Sequence, residues 1–394
     1  PPAAVESRAQ GGPVFVPTDD QQALSEAAHA FCADLLGPTL ESDDETETFR
    51  KDFIAAMGEQ GLCGIPTPEE YGGLGLGYVE YAMVLEQIAR VSASYAVSVA
   101  VTGLPQIILN SYGTDAQKEQ WLPGLAAGEL LGAFALSEPG AGSDAGSLRA
   151  TARLEGDHYV LDGTKFWITH GGYADIYLVM ARTGGPGPKG VSAFIVPGDA
   201  EGLSFGKKER KMGMRASPTV EVVLDGVRVP VADRVGPEGF GFTVAMSALD
   251  SGRITIGATS VGLCQAALDV SGRYATERQQ FRKPIIDFQG VGFMLADMLC
   301  RTDTARLMVH KAAWMKDHGH RYSHVAAMAK VLATDAAMSV TTDAVQVLGG
   351  YGYTREHPVE RYMRDAKVMQ IVEGTNQVQR LVIARHLKRR HSVG

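Results

Sequence analysis

The hydrophobic pattern of this chain changes its period twice, and that change restricts the folds it can adopt. Apolar residues recur at helical spacing after a predicted helix cap at Thr18, as in Leu24, Phe31 and Leu35. Runs of β-favouring residues follow from about residue 131. The helical period returns from about residue 241 in long blocks, including 242–278, 289–316 and 323–347. The 394 residues also exceed what one core usually organises. We therefore predict a mainly α protein with a central β domain, divided into an N-terminal helical domain (18–130), a middle β-sheet domain (131–240) and a C-terminal helical bundle (241–394).

The middle segment favours an antiparallel sheet. Asp162-Gly163 lies between two β-favouring runs, which is the strongest short signal for a hairpin turn, and Asp225-Gly226 repeats it. The connections between the runs are too short for the helical crossovers that parallel strands need. We therefore expect no Rossmann-type domain here.

Composition narrows the functional classes. A net charge of −8 with 21% charged residues gives no general attraction for nucleic acid. The four cysteines occur singly, without metal-ligand spacing, so we expect reduced thiols and no metal site. No stretch reaches the roughly 18 uninterrupted apolar residues of a membrane span. Residues 1–17 resemble a loose arm without a leader pattern, and a cytoplasmic protein is the resulting expectation.

One carboxylate, Glu373, lies between a short apolar run and Asn376, which with Gln379 we predict to cap a C-terminal helix. Partial burial would raise the pKa of a glutamate from about 4.3 and would suit a base that works near neutral pH. Most acidic residues just before a helix stabilise the helix dipole instead. The residue alone therefore favours the helix-dipole interpretation over catalysis.

Two further segments carry candidate ligand-binding groups. The Gly-rich stretch 132–144 can expose backbone N–H groups beside the hydroxyls of Ser137 and Ser143, although such a loop can also be only a turn. Trp167 and Thr169 share one face of a predicted strand and would present an aromatic wall and a hydroxyl to one site. An isolated Trp is as readily sheet core, and we expect His170, on the other face, to be structural.

Taken together, five segments resemble, in order, the motifs of the acyl-CoA dehydrogenase family, and the resemblance runs from residue 18 to 390. They are LSEPGAGSD at 136–144, WIT at 167–169, QVLGGYG at 346–352, RDA at 364–366 and EGTNQVQR at 373–380. The resemblance implies the fold of that family, bound FAD, and removal of an α proton and a β hydride from an acyl-CoA thioester to leave a trans-2-enoyl-CoA. It implies that Glu373 is the base, that its backbone N–H and a ribityl hydroxyl of FAD stabilise the enolate oxygen, and that electron-transfer flavoprotein accepts the electrons.

The resemblance also assigns binding residues. Those implied for the cofactor within one subunit are Phe134, Leu136, Ser137, Gly142, Ser143, Trp167, Thr169, Thr375 and Gln377. Arg278, Gln280, Gln346 and Gly350 would reach the FAD of a neighbouring subunit, and Phe281, Phe288, Gln289 and Gly349 are also assigned to the cofactor. Ser143, Asp250, Arg253 and Gly374 are assigned to the substrate. Cofactor binding across subunits implies a homo-oligomer, typically a tetramer.

Several positions refine the assignment. One branch of the family carries its catalytic Glu just before the arginine that matches Arg253, where this chain has Gly252, so the base is placed at Glu373. Asp250 and Arg253 could otherwise form a helix-surface ion pair. Val372 stands where many relatives carry Tyr, and His170 and Arg282 replace a common Asn and a frequent Gly.

The resemblance is closest to short-chain and short branched-chain members, and Val372 would widen the pocket beside the thioester for branched acyl groups. Two other functions stay open at this point. One is an oxidase or monooxygenase on the same scaffold, of which the oxidase is favoured because monooxygenase relatives commonly lack the Glu. The other is a non-catalytic flavoprotein with an assembly or DNA-associated role, against which Glu373 and the negative net charge weigh.

Overall fold

The N-terminal part of the molecule is helical. The computed structural model describes residues 16–392, so most of the predicted arm at 1–17 lies outside the described residues. The helices are α1 (Asp19–Leu36), α2 (Leu40–Thr46), α3 (Lys51–Glu59), α4 (Tyr78–Val91), α5 (Ala93–Tyr112) and α6 (Asp115–Ala126). The predicted cap is confirmed, because the Thr18 hydroxyl accepts a hydrogen bond from the Gln21 N–H at 3.2 Å.

The middle part is one eight-stranded sheet. Its strands are β1 (Gly132–Ala135), β2 (Thr151–Glu155), β3 (His158–Thr169), β4 (Ile176–Arg182), β5 (Val191–Pro197), β6 (Leu203–Phe205), β7 (Thr219–Pro230) and β8 (Arg234–Val235). They lie in the order β6-β7-β3-β2-β4-β5-β8, with β1 paired to β4. The expected antiparallel pairing is confirmed except at β4, which β1 joins in parallel and β2 meets in parallel at one residue pair. Residues 136–175 supply the long connection that the parallel pair β1–β4 requires.

The two predicted hairpin turns are wrong. Strand β3 continues through Asp162-Gly163, and β7 continues through Asp225-Gly226. The register between these strands shifts there, and the Asp162 carboxylate accepts a hydrogen bond from the Gly226 N–H at 2.9 Å. The two dipeptides therefore face each other as bulges that bend paired strands. The β2–β3 hairpin instead turns at Gly156, whose φ is +67°.

The C-terminal part is a helical bundle whose bounds follow the predicted blocks. It contains α7 (Gly241–Glu277), a short hairpin of β9 (Gln279–Gln280) and β10 (Lys283–Pro284), α8 (Gln289–Asp317), α9 (Ser323–Leu348), α10 (Gly350–Tyr353), α11 (Val359–Met369) and α12 (Asn376–His391). Helix α7 is central and packs against α4, α5, α8 and α9. Ile254, Val261 and Leu263 on α7 have no exposed surface.

Two helices of the described chain, α5 and α7, are long and apolar enough to cross a membrane by length and composition alone. In α5, 89% of the apolar window is buried inside the protein, and in α7 the share is 78%. Their apolar composition is accounted for by packing in the core. Both helices also border the cleft described next.

Candidate active site

A large cleft lies where the sheet meets the helical parts. Its volume is about 1340 Å³, which exceeds the roughly 300–1,000 Å³ of a typical single-ligand pocket. Strands β1 and β3, helices α5 and α7, and the loop between α11 and α12 border it. The sequence-predicted residues that line it are Phe134, Leu136, Ser137, Gly142, Ser143, Trp167, Thr169, Arg253, Glu373, Gly374 and Thr375.

Glu373 lies in the α11–α12 loop, and its half-buried side chain enters the cleft. Its Oε2 atom is buried and has no hydrogen-bond partner among the described residues. Burial raises the pKa of Glu373 to about 7, and the positive charges of Arg253 and Lys330 oppose that rise. A carboxyl group in this state changes its charge near neutral pH.

Gly252 on α7 makes room for this carboxyl group. A Cβ atom at position 252 would lie 2.5 Å from the Glu373 Oε2 atom and 2.9 Å from its Cδ atom. Any larger residue would therefore displace Glu373. The sequence identified Gly252 as a position without a base, and the structure adds that the missing side chain leaves the space in which Glu373 lies.

Asp250 and Arg253 form an ion pair one turn apart on α7. Arg253 is only 5% exposed, so the pair is not the helix-surface pair that the sequence left open. Arg253 lines the cleft, whereas Asp250 does not. Burial raises the pKa of Asp250, and Arg253 opposes that rise.

The loop that carries Glu373 is held from the bundle side. Glu373 has φ of +54° and Gly374 has φ of +87°, so two consecutive residues adopt the left-handed conformation. The Gln379 side-chain amide donates to the carbonyls of Glu373 at 3.0 Å and Gly374 at 2.9 Å. The predicted cap at Asn376 is wrong: Thr375 caps α12, and its hydroxyl accepts from the Val378 N–H at 3.3 Å.

The sheet contributes an aromatic wall with hydroxyl groups beside it. Trp167 has φ of +63° at a register shift of β3 and is 60% exposed, so it is not sheet core. Thr169 lines the same cleft, as the alternation of the strand predicted. His170 is fully buried and its Nδ1 atom lies 3.0 Å from the Gly132 carbonyl oxygen, in keeping with a structural role.

A buried ion pair holds the Gly-rich loop in place. The Lys165 ammonium, with no exposed surface, donates to the Glu138 carboxylate at 2.8 Å and to the Leu136 carbonyl at 3.1 Å. Glu138 also accepts from the backbone N–H groups of Arg149 at 2.6 Å and Ala150 at 2.9 Å. One carboxylate therefore connects both ends of the loop that borders the cleft to strand β3.

The donor groups of the cleft fit a flavin. The side-chain hydroxyls of Ser137, Ser143 and Thr169 have no hydrogen-bond partner among the described residues and are free to bind a ligand. Trp167 offers a flat apolar surface beside them. Within residues 16–392 the Glu373 backbone N–H also has no acceptor, as an oxyanion donor requires. The size of the cleft suits a flavin ring and a thioester together.

The remaining predicted cofactor residues lie outside this cleft. Arg278, Gln280 and Gly350 line a separate pocket of about 460 Å³. Phe281, which is 88% exposed, packs edge-on against Phe288 with ring centres 5.9 Å apart. Three further residues are exposed: Gln289, Gln346 and Gly349. Gln377 lines a third pocket, of about 470 Å³, on the outer side of the α11–α12 loop. One chain therefore brings together in this cleft the residues assigned to the cofactor within one subunit, with the exception of Gln377.

Sequence reasoning missed three residues that support the site. Lys330 and Gln379 hold the Glu373 turn, and Lys165 pairs with Glu138. For Lys330 a signal existed, because a lysine stands among Ala326, Ala333 and Thr334 in an otherwise small and apolar segment of α9, where a charged side chain is uncommon. Within the described part of the chain, no cluster of three or more His, Cys, Asp or Glu side chains could hold a metal ion.

Comparison with known proteins identifies the family. Models of three acyl-CoA dehydrogenase domains match the chain: the N-terminal domain over residues 18–129, the middle domain over 133–227 and the C-terminal domain over 239–388. The chain is 43% identical over 369 residues to the short-chain-specific acyl-CoA dehydrogenase of Clostridium acetobutylicum, which covers 93% of this chain and 97% of that protein.

Solved structures agree with this match. Butyryl-CoA dehydrogenase from Megasphaera elsdenii superposes with a TM-score of 0.93 at 42% identity, covering 95% of this chain and 99% of that one. A chain from a structural study of the electron transferring flavoprotein of Acidaminococcus fermentans, concerned with flavin-based electron bifurcation, has a TM-score of 0.93 at 44% identity and covers 95% of this chain and 100% of that one. The chain belongs to the acyl-CoA dehydrogenase family of FAD-dependent oxidoreductases.

Proposed function

We propose that this enzyme dehydrogenates short straight-chain or branched acyl-CoA thioesters, with Glu373 as the base that removes the α proton. The observation that carries the proposal is the Glu373 carboxyl group, which lies in the cleft with an unpartnered Oε2 atom opposite Gly252. FAD, when bound against the Trp167 side of the cleft, supplies the acceptor for the β hydride. The residues of the chain orient the thioester and move the proton.

The raised pKa of Glu373 supports its role as a base. With a pKa raised to about 7 by burial, the carboxylate is a stronger base than an exposed glutamate and still ionises near neutral pH. Removal of a thioester α proton also requires stabilisation of the charge that develops on the carbonyl oxygen. The Glu373 backbone N–H lacks an acceptor within the described chain and is the donor that we assign to this oxygen.

The lining of the cleft supports an apolar acyl group, and the relatives support a short one. Apolar side chains from two helices border it: Val97, Val101 and Leu104 from α5, and Met246, Leu249 and Ile256 from α7. Val372, next to the base, occupies less space than the Tyr that many relatives carry. The named relatives from Clostridium acetobutylicum and Megasphaera elsdenii are short-chain and butyryl-CoA enzymes. We therefore assign four-carbon acyl groups, with branching tolerated beside Val372.

Anaerobic bleaching of the bound flavin by a panel of acyl-CoA thioesters tests this assignment. Butyryl-CoA and isobutyryl-CoA should reduce the enzyme faster than octanoyl-CoA. The Val372→Tyr variant should lose isobutyryl-CoA turnover more than butyryl-CoA turnover, because the added ring fills the space beside the thioester. Preference of the wild-type enzyme for octanoyl-CoA would contradict the proposal.

We also propose electron-transfer flavoprotein as the electron acceptor, since one structural neighbour comes from work on that protein. Electron-transfer-flavoprotein-coupled turnover should exceed peroxide release in air, and dominant peroxide release would instead indicate an oxidase. A homotetramer is proposed because Arg278, Gln280 and Gly350 line a pocket separate from the cleft of their own chain. Light scattering tests this assembly. The cytoplasmic location and the domain boundaries at residues 130 and 240 stay predictions.

A further inference from the structure

Helix α9 places a lysine directly behind the turn that carries Glu373. Lys330 has no exposed surface, and the small side chains of Ala326 and Ala333 flank it on the same helix. Its ammonium donates to the Gly374 carbonyl at 3.1 Å and to the Asn376 side-chain oxygen at 2.8 Å. A fully buried lysine is uncommon and is costly unless its charge is compensated. Neither of these two acceptors carries a charge.

The turn that Lys330 contacts requires support. Glu373 is not a glycine, yet its φ is +54°, a conformation that is costly for a side-chain-bearing residue and persists only where its surroundings enforce it. The Gln379 amide holds the carbonyls of Glu373 and Gly374, and Lys330 holds the second of them from the opposite helix. Loss of Lys330 leaves the Gly374 carbonyl with one donor in place of two.

The other charged groups around this turn have ion-pair partners of their own. Arg253 on α7 is paired with Asp250, and Asp335 on α9 accepts from Arg380 of α12 at 2.9 Å. Asp335 also accepts from the side-chain amides of Asn376 and Gln370, both at 2.7 Å. Lys330 and Glu373 each lack a salt bridge of their own within the described chain.

Burial acts on both groups in opposite directions. It lowers the pKa of Lys330 to about 7, while the Glu373 charge and, more weakly, Asp335 oppose the change and Arg253 adds to it. It raises the pKa of Glu373 to about 7, and Arg253 and then Lys330 oppose that rise. The two groups therefore titrate in the same range, where each stabilises the charged form of the other.

We propose that Lys330 is a positioning residue for proton abstraction, which holds the left-handed turn at Glu373-Gly374 and adds a buried positive charge next to the turn that carries the Glu373 carboxylate. This inference rests on the proposed role of Glu373 as the base. It makes two separable claims, one about the hydrogen bond to Gly374 and one about the charge.

Lys330→Met removes both the donor and the charge, and Lys330→Gln removes the charge but keeps an amide donor. The readout is the pH titration of the Glu373 carboxyl C=O stretch in the FAD-bound enzyme by infrared difference spectroscopy, with Glu373→Gln identifying the band. The titration midpoint should rise in both variants, because one of the two cations that favour the carboxylate is removed while Arg253 remains. Lys311→Met, which removes an exposed lysine on α8, is the matched control and should leave the midpoint unchanged.

Flavin reduction by butyryl-CoA separates the hydrogen bond from the charge. At a pH where Glu373 is fully ionised, the flavin of Lys330→Met should be reduced by butyryl-CoA roughly tenfold more slowly than the wild-type flavin. This is the loss expected for a modest misplacement of the base. Lys330→Gln should retain more of the rate. Equal rates in Lys330→Met and wild type would overturn the claim that Lys330 positions the turn.

An unchanged titration midpoint in both lysine variants would overturn the claim about the charge. The infrared titration needs no substrate turnover, so it is independent of the test of Glu373 as the base. The assignment of Glu373 as the base is contradicted if Glu373→Gln turns over acyl-CoA at the wild-type rate. Retained flavin absorbance and the melting temperature report whether each variant folds. The wild-type band alone should titrate over a wider pH range than an isolated carboxyl group, because the two sites are coupled, and a single-site curve would contradict the inference.

Discussion

Gly252→Ala should separate activity from stability in this enzyme. The new Cβ atom would lie 2.5 Å from the Glu373 Oε2 atom, whereas ordinary contacts begin at 3.4 Å. The carboxyl group must therefore retreat by about 1 Å, a displacement that can lower a catalytic rate about 100-fold. The substitution lies inside α7, where Ala is favoured over Gly by up to about 1 kcal/mol of helix propensity. We expect a large loss of activity without a corresponding loss of stability.

The assay is the rate of anaerobic flavin reduction by saturating butyryl-CoA, measured beside thermal unfolding of the FAD-bound enzyme. Gly272→Ala is the matched control, because Gly272 lies on the same helix and a Cβ atom there meets nothing within 4 Å. The control should keep the wild-type rate. Full activity in Gly252→Ala would refute the argument that the missing side chain positions the base, and a melting temperature that falls in step with the rate would refute the separation.

Two more predictions test Glu373 as the base and the Gly-rich loop that borders the cleft. The kcat/KM for butyryl-CoA should rise about tenfold between pH 6 and pH 8, because Glu373 with a pKa of about 7 must lose its proton to act as a base, and a flat profile would contradict that state. Lys165→Met should lower the free energy of unfolding by about 3–5 kcal/mol and weaken FAD retention, since it strands the buried Glu138 carboxylate. Arg153→Met, which breaks the exposed pair with Asp162 between β2 and β3, should cost under about 1 kcal/mol, and equal losses in the two variants would contradict the burial argument.

Helices were the part of the fold that the sequence predicted best. The blocks 242–278, 289–316 and 323–347 differ by no more than a residue at either end from α7, α8 and α9, because long uninterrupted helical segments leave few alternative boundaries. The turns and pairing of the sheet were predicted less well. Asp162-Gly163 and Asp225-Gly226 carry a turn signal, yet they lie opposite each other in paired strands and form bulges instead. That pairing is a tertiary contact, which local patterns do not contain.

The candidate site was also predicted only in part, because some of its properties arise from tertiary contacts. Ordered motifs pointed to Glu373, Trp167 and Thr169, and all three line one cleft. Burial and charge around Glu373 come from residues distant in sequence, namely Arg253 and Lys330, so a pKa near 7 could not be read from the motif. The residues around Arg278 stand apart from this cleft, and their assignment to FAD depends on an assembly that one chain does not contain.

The central claim is that Glu373 removes the α proton of the thioester. Stopped-flow measurement of anaerobic flavin reduction by butyryl-CoA in the wild-type enzyme and in Glu373→Gln tests it most directly, with FAD content and butyryl-CoA binding measured on both proteins. The account predicts that the variant retains FAD and binds the thioester but reduces its flavin at least 10²-fold more slowly, the lower end of the 10²–10⁴-fold loss typical of general-base removal. Flavin reduction at the wild-type rate in Glu373→Gln would contradict it.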